Sequence, residues 1–221
     1  MIGPARELGL AMLIADLSGY TALTESHGAL KASEIVLRFV RLVEQSLEPG
    51  VRIVNSIGDE VFCTGASTLG VVRSALRIHA AVMRERDFPR VRIGVHGGPV
   101  VEREGRLFGA PINLTARLAG EAQGGQILCT EAIAQAARPL AAVEARPIGA
   151  RRFRNVAHPV EVFELMRAED RRASASIDPV CRMQVRIPRA AEEAVYAGKT
   201  YRFCSSECAR AFAAAPELYV A

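Results

Sequence analysis

Two aspartates follow apolar segments at positions where a carboxylate could bind a metal ion. Asp16 ends the apolar run at residues 10–15, and Asp59 follows Gly58 between two β-prone runs within residues 52–62. A Gly-Asp pair between such runs predicts a β-hairpin, because glycine accepts the positive φ of a primed turn. If the first strand pairs beside this hairpin, the two carboxylates come close together and favour a divalent cation between them. The simpler alternative is that Asp59 is only a turn residue.

The residues that follow Asp16 could bind a phosphate. Leu17, Ser18, Gly19, Tyr20 and Thr21 lead directly from the predicted strand into a predicted helix. Free N–H groups at a helix N-terminus favour an anion, and a neighbouring carboxylate can hold the cation that accompanies a phosphate. We call residues 17–21 the phosphate-binding loop.

Asn113 and Arg117 form a second candidate group. They are four residues apart in a predicted helix and therefore share one face of it. Arginine can stabilise charge on a phosphate, and asparagine can orient a hydroxyl group. Solvent-exposed helices often carry this pair with no function, so the pair alone is weak evidence.

The elements that must position these residues follow from hydrophobic periodicity and breaker residues. Strands are predicted at residues 10–15, 91–96, 100–103, 126–129, 143–148 and 160–165, with a turn at residues 97–99 between the second and third of them. Helices are predicted at residues 32–47, 69–86 and 112–122, with a short one from Glu131, and Pro111 lies in the favoured first-turn position of the third. These elements predict an α+β sandwich with helices on one face of a mostly antiparallel sheet.

Composition limits the classes of protein that the chain can be. Half of its 221 residues are hydrophobic, which is enough for a substantial core, while no apolar run reaches the roughly 20 residues of a membrane span. No signal-peptide pattern is present at the N-terminus, so we expect a cytoplasmic protein with no membrane partner. The net charge of +4 comes from scattered arginines with few aromatic residues among them, and nucleic-acid binding is not expected. Cys63 and Cys129 lie in strand-like apolar runs and are predicted to be buried structural thiols.

Four segments, in this order and spacing, resemble the class III adenylate/guanylate cyclase catalytic domain over residues 9–166. They are LIADLSGYTALTE, VNSIGDEVF, RIGVHGGPVV and LFGAPINLTARLAGEAQGGQIL. The resemblance implies a ferredoxin-like core and a head-to-tail homodimer with two sites at its interface. It implies that Asp16 and Asp59 hold two Mg²⁺ or Mn²⁺ ions and that Asn113 and Arg117 reach in from the other chain. The implied reaction converts a purine nucleoside triphosphate to a 3′,5′-cyclic nucleotide and pyrophosphate.

Two positions depart from that family's pattern. Adenylate cyclases of the family usually have lysine four residues before the metal-binding aspartate, and aspartate or threonine seven residues before the asparagine. Here these base-recognition positions hold Asn55 and Arg106. Arg106 cannot accept the amino proton of adenine, although it could donate to a guanine carbonyl. The alternative is that both positions are solvated polar residues left after base selection was lost.

The C-terminal segments DPVCRMQV and YAGKTYRFCSSECARAFAAAPELYV resemble a YHS domain over residues 177–221, after a polar linker at residues 167–176. Cys181, Cys204 and Cys208 have the spacing of a thiophilic metal site, for Zn²⁺ or another soft ion. The family's usual glycine after the first cysteine is Arg182 here. A fourth ligand could be Asp178, a water or a group from the other chain, and the alternative is that the three cysteines only pack a small domain.

The sequence therefore predicts a nucleotidyl cyclase that metal binding at the tail could tune. The alternative is a catalytically degenerate homologue that acts as a nucleotide-binding or metal-sensing regulatory or scaffold protein. The polar linker predicts that the tail is a separate unit.

Overall fold

The computed structural model describes residues 4–170, 176–185 and 190–220. The strands are β1 (Arg6–Leu17), β2 (Val51–Ile57), β3 (Glu60–Gly65), β4 (Val91–Arg103), β5 (Arg106–Phe108), β6 (Ile127–Thr130), β7 (Val143–Arg151), β8 (Val160–Arg167), β9 (Ser176–Ile177), β10 (Gln184–Val185), β11 (Glu192–Tyr196) and β12 (Lys199–Phe203). The α-helices are α1 (Tyr20–Ser46), α2 (Thr68–Arg84), α3 (Ala110–Glu121), α4 (Glu131–Ala137) and α5 (Ser206–Ala214). No helix in these ranges is both long enough and apolar enough to cross a membrane.

One large sheet organises the N-terminal part of the chain. Its strand order is β2-β3-β1-β4-β6-β8-β7, with β5 added to the end of β4. Only β4 and β6 among these described strands pair in parallel, so the sheet is mostly antiparallel, as predicted. The central pair, β1 and β4, runs from Arg6 opposite Glu102 to Leu17 opposite Val91.

Helices cover both faces of this sheet at its centre. Ile93 and Val95 belong to the core shared with α1, α2 and α4, whereas a side chain on Gly94 would collide with the α3 backbone at Ala119. Successive residues of a strand point to opposite faces, so α3 lies on the face opposite the other helices. The expectation that helices cover a single face was wrong for α3. The double cover also explains why residues 11–17 of β1 are all buried.

The hairpin and most other predicted elements are confirmed, with two differences. β2 and β3 flank a turn in which Gly58 has a φ of 57°, as its sequence predicts. However, β4 continues through residues 97–99 without the predicted turn and reverses only after Arg103. The helix predicted to follow residues 17–21 and the helix predicted from Ala32 form a single element, α1, which begins at Tyr20 and is kinked at Gly28.

The C-terminal residues form a small module that packs on the larger domain. Its core is built around Phe212, whose ring lies 5.2 Å from that of Phe203 and 4.9 Å from that of Tyr201. The N–H of Gln184 donates to the carbonyl of Phe88 at 3.0 Å, and Met183 forms a β-bridge with Pro89. The buried apolar residues of the module are continuous with the core of the larger domain. The tail therefore packs against the larger domain, while its folding as a unit of its own stays a prediction. Residues 171–175 of the predicted linker lie outside the described residues.

Candidate active site

Asp16 and Asp59 are brought together at the C-terminal end of β1. Asp16 pairs across the sheet with Glu60 on one side and with Arg92 on the other. The Gly58–Asp59 turn immediately precedes Glu60, so the hairpin carries Asp59 next to Asp16. Asp59 is close enough to Asp16 for the charge of Asp16 to act on its carboxyl group.

The electrostatics of this pair favour a cation. Burial, and then the negative charge of Asp16, raise the pKa of Asp59 to about 6. Burial and Asp16 also raise the pKa of Glu60. Arg92 partly compensates, since its guanidinium lies 2.5 Å from the Asp16 carboxylate. Clustered carboxylate oxygens are the donors that Mg²⁺ and Mn²⁺ prefer, so the residues present fit the two-metal site that the resemblance implies.

The phosphate-binding loop connects β1 to α1. Leu17 is the buried last residue of β1, and the Ser18 N–H donates to the carbonyl of Arg90 at 2.7 Å. Gly19 has a φ of 84°, and the first helical hydrogen bond runs from the Leu23 N–H to the Gly19 carbonyl. The N–H groups of the first helical turn have no partner within the helix. An anion would therefore meet the N–H groups of Tyr20 and Thr21 rather than that of Ser18.

Asn113 and Arg117 lie on the exposed face of α3, as their spacing predicts. Asn113 and Asn55 line one cavity of about 160 Å³, together with Ile57 and Glu60. One chain thus supplies Asn55 and Asn113 to the same space. Arg106 is exposed at the start of β5, where it pairs with Arg103 across the short hairpin.

The three C-terminal cysteines also come together. The Sγ atoms of Cys181 and Cys204 are 3.4 Å apart, and those of Cys204 and Cys208 are 3.8 Å apart. Hydrogen bonds from the other two thiols lower the pKa of the Cys208 thiol. His27, from α1, lies beside them, with Nε2 at 3.7 Å from the Cys204 sulfur and 3.6 Å from the Cys208 sulfur.

Cys63 and Cys129 are fully buried, as predicted, and burial raises the pKa of both thiols to about 12.

Sequence reasoning missed Glu60, Arg92 and His27. Arg92 could have been found, because pairing β4 beside β1 in antiparallel register places it opposite Asp16. His27 gave no such signal, since it lies 177 residues from Cys204 in the chain.

The C-terminal module matches a known domain family. The YHS domain model matches residues 176–221.

The larger domain resembles known cyclases in sequence and in fold. The chain is 29% identical over 173 residues to the pH-sensitive adenylate cyclase of Mycobacterium tuberculosis, a match that covers 77% of this chain and 43% of that protein. It is 31% identical over 132 residues to the adenylate cyclase of Glutamicibacter nicotianae, covering 59% of this chain and 32% of that protein. The chain thus spans less than half the length of these curated relatives.

Solved structures show the same fold. The adenylyl cyclase CyaB from P. aeruginosa aligns with a TM-score of 0.66 at 16% identity, covering 75% of this chain and 97% of that one. The guanylyl cyclase Cya2 aligns with a TM-score of 0.62 at 21% identity, covering 75% of this chain and 94% of that one. The N-terminal domain therefore has the α+β fold of class III cyclase catalytic domains, followed by a YHS domain.

Proposed function

We propose that the N-terminal domain is a class III nucleotidyl cyclase that converts a purine nucleoside triphosphate to a 3′,5′-cyclic nucleotide and pyrophosphate. The observation that carries this proposal is the pair of a buried Asp16 and a half-buried Asp59 beside a helix N-terminus. The sequence similarity to adenylate cyclases supports it.

The roles of the chain's own residues follow from their positions. Asp16 and Asp59 would hold two divalent cations, Mg²⁺ or Mn²⁺. When bound, these would lower the pKa of the ribose 3′-hydroxyl and neutralise the charge of the leaving pyrophosphate. Arg92 lies beside Asp16, where its guanidinium could contact the phosphates. The first turn of α1 would bind phosphate oxygens through its free N–H groups.

Asn113 and Arg117 would act on a nucleotide held by a second copy of the chain. Both side chains are exposed on α3. In a two-fold dimer each chain would place Asn113 near the ribose and Arg117 near the transferring α-phosphate, where arginine stabilises developing negative charge.

A second candidate is a domain that binds nucleotide without turnover. The non-standard residues Asn55 and Arg106 favour it, because misplacement of the base by about 1 Å can cost roughly 10²-fold in rate. The ion pair of Arg92 with Asp16 also favours it, since it occupies an oxygen that a metal would need.

A cyclisation assay separates the two candidates. The purified chain is incubated with ATP or with GTP in the presence of Mn²⁺, and cyclic product is quantified. We expect weak activity with both nucleotides, and Asp59→Ala should abolish it. Glu161→Ala, which removes an exposed carboxylate of β8, three strands away from β1 in the sheet, should leave it unchanged. Absence of product from both nucleotides, with retained nucleotide binding, would support the second candidate.

A further inference from the structure

Four potential metal ligands from two parts of the chain converge at one point. His27 belongs to α1 of the N-terminal domain, and Cys181, Cys204 and Cys208 belong to the YHS domain. One ligand atom of each residue lies within 4.8 Å of the others. Cys181 and Cys208 are buried, while His27 and Cys204 are half-buried.

Four of the six distances among these atoms are close to those of a tetrahedral zinc site, and the other two are within 4.8 Å. Zn–S bonds of about 2.3 Å and Zn–N bonds of about 2.0–2.1 Å, at tetrahedral angles, separate two sulfurs by about 3.8 Å and a sulfur from a nitrogen by about 3.5 Å. In the structure, two pairs of sulfurs are 3.4 and 3.8 Å apart, and two sulfurs are 3.6 and 3.7 Å from His27 Nε2. A Cys₃His set is one of the usual closed structural zinc sites.

Asp178, which the sequence also allowed as the fourth ligand, has another role. Its Oδ1 accepts hydrogen bonds from the N–H groups of Val180 and Cys181, and its Oδ2 accepts one from the N–H of Cys204 at 2.8 Å. Both carboxylate oxygens are therefore engaged. Asp178 holds together the two backbone segments that carry the cysteines, and His27 faces the sulfurs instead.

We propose that His27 completes a Cys₃His site for Zn²⁺ together with Cys181, Cys204 and Cys208, and that this metal fixes the YHS domain to the first part of α1. The site is thus shared between the two domains. The first part of α1 starts in the phosphate-binding loop and ends at His27. Metal binding at His27 would then order this part of the helix from the end opposite to the loop.

The contact at Arg182 extends this link to the loop itself. Arg182 has a φ of 65°, and its Cβ lies 2.4 Å from where a Cβ on Gly19 would stand. Arg182 also lines a cavity together with Ser18 and Gly124. A YHS domain held by metal at His27 would therefore keep Arg182 against the phosphate-binding loop. Any effect of this contact on nucleotide turnover rests in addition on the proposed cyclase function.

Metal binding to the full chain tests the site directly. Zn²⁺ affinity is measured by competition with a chromophoric chelator, and the coordination is recorded from the absorption of the Co²⁺ form. We expect one tightly bound ion per chain and a tetrahedral, thiolate-rich Co²⁺ spectrum. His27→Ala should weaken Zn²⁺ binding by at least the roughly 10- to 100-fold that loss of an outer-shell partner causes, and should change the Co²⁺ spectrum.

Two further variants make the result specific to ligation. His27→Cys should restore tight binding with a fourth thiolate, which a merely structural role of His27 would not allow. His158→Ala, at an exposed histidine of the loop between β7 and β8, should bind as the unchanged chain does. An unchanged affinity and an unchanged Co²⁺ spectrum for His27→Ala would overturn the proposal.

Hydrogen exchange tests the link to α1. Zn²⁺ should slow amide exchange in residues 20–27 of the unchanged chain but not of His27→Ala. Equal exchange with and without Zn²⁺ in the unchanged chain would contradict the link. Neither measurement uses a nucleotide, so failure here is distinguishable from failure of the cyclase proposal.

Discussion

Asp59 is the residue whose ionisation should control metal binding at the candidate active site. Its pKa is raised to about 6, first by burial and then by Asp16. A carboxyl group whose pKa is raised in the folded state binds its proton more tightly in the folded state than in the unfolded state. Without metal, the free energy of unfolding should therefore fall as pH rises from about 4 to about 6, and a bound cation should reverse this penalty.

Mn²⁺ affinity should accordingly depend on pH around that value. Because the ion must displace the Asp59 proton, its affinity should drop about tenfold for each pH unit below about 6 and level off above it. Titration calorimetry with Mn²⁺ at several pH values measures this directly. Asp59→Asn should bind weakly at every pH, and the same slope in that variant would show that another group is responsible.

Base selection should respond to Asn55 and Arg106 as a pair. Restoring the residues usual in adenylate cyclases, by Asn55→Lys with Arg106→Asp, should raise kcat/KM for ATP more than either single change and by more than the product of their two fold-changes, because both would contact one base edge. The measurement is kcat/KM for ATP and GTP in all four chains. Additive effects would mean that the two positions act independently.

Among the elements, β4 shows where local sequence signals give the wrong answer. Gly97, Gly98 and Pro99 indicate a turn, yet they pair in register with β1 at Ala11, Leu10 and Gly9. Gly98 serves packing instead, since a Cβ there would lie 2.7 Å from the Pro111 ring. The hairpin at Asp59 could be predicted because its geometry is local, whereas this strand depends on tertiary pairing.

The continuity of α1 was not predicted, because it too depends on more than the local sequence pattern. Periodicity identified its regular portion, while Gly28, with φ 78° and ψ 164°, interrupts it and separates the portion that carries His27. That conformation is essentially restricted to glycine. The His27–cysteine cluster depends on this kink and on docking of the tail, and no local pattern encodes either.

Gly28→Ala should therefore destabilise the chain by roughly 1–3 kcal/mol, through backbone strain alone. A Cβ at Gly28 would meet no atom within 4 Å, so no steric clash contributes. Gly120→Ala in α3 is the matched control, because it also meets no atom within 4 Å and should gain up to about 1 kcal/mol from helix propensity. Urea denaturation measures the free energy of unfolding of both variants. If Gly28→Ala is as stable as the unchanged chain, the Gly28 conformation is not strained for alanine.

At the scale of the whole molecule, the proposed cyclase site would need a second chain. Asn113 and Arg117 lie exposed on α3. Two large apolar side chains are also exposed: Ile57, which lines the same cavity as Asn113, and Phe108, just before α3, with exposed fractions of 68% and 53%. A two-fold partner that supplies Asn113 and Arg117 to the aspartate pair would cover such a surface. Light scattering should then give twice the chain mass of 23.8 kDa.

Mixing two inactive variants tests whether the active site is shared. Asp59→Ala retains Arg117, and Arg117→Ala retains the aspartate pair, so each homodimer should be inactive. In an equimolar mixture that exchanges subunits, half of the dimers contain one of each chain and one of their two sites is intact. Activity should therefore return to about a quarter of that of the unchanged protein. A control mixture combines Asp16→Ala with Asp59→Ala, which both alter the aspartate pair. It should stay inactive because neither chain offers an intact aspartate pair. If the first mixture is as inactive as the second although light scattering shows mixed dimers, both halves of the site come from one chain.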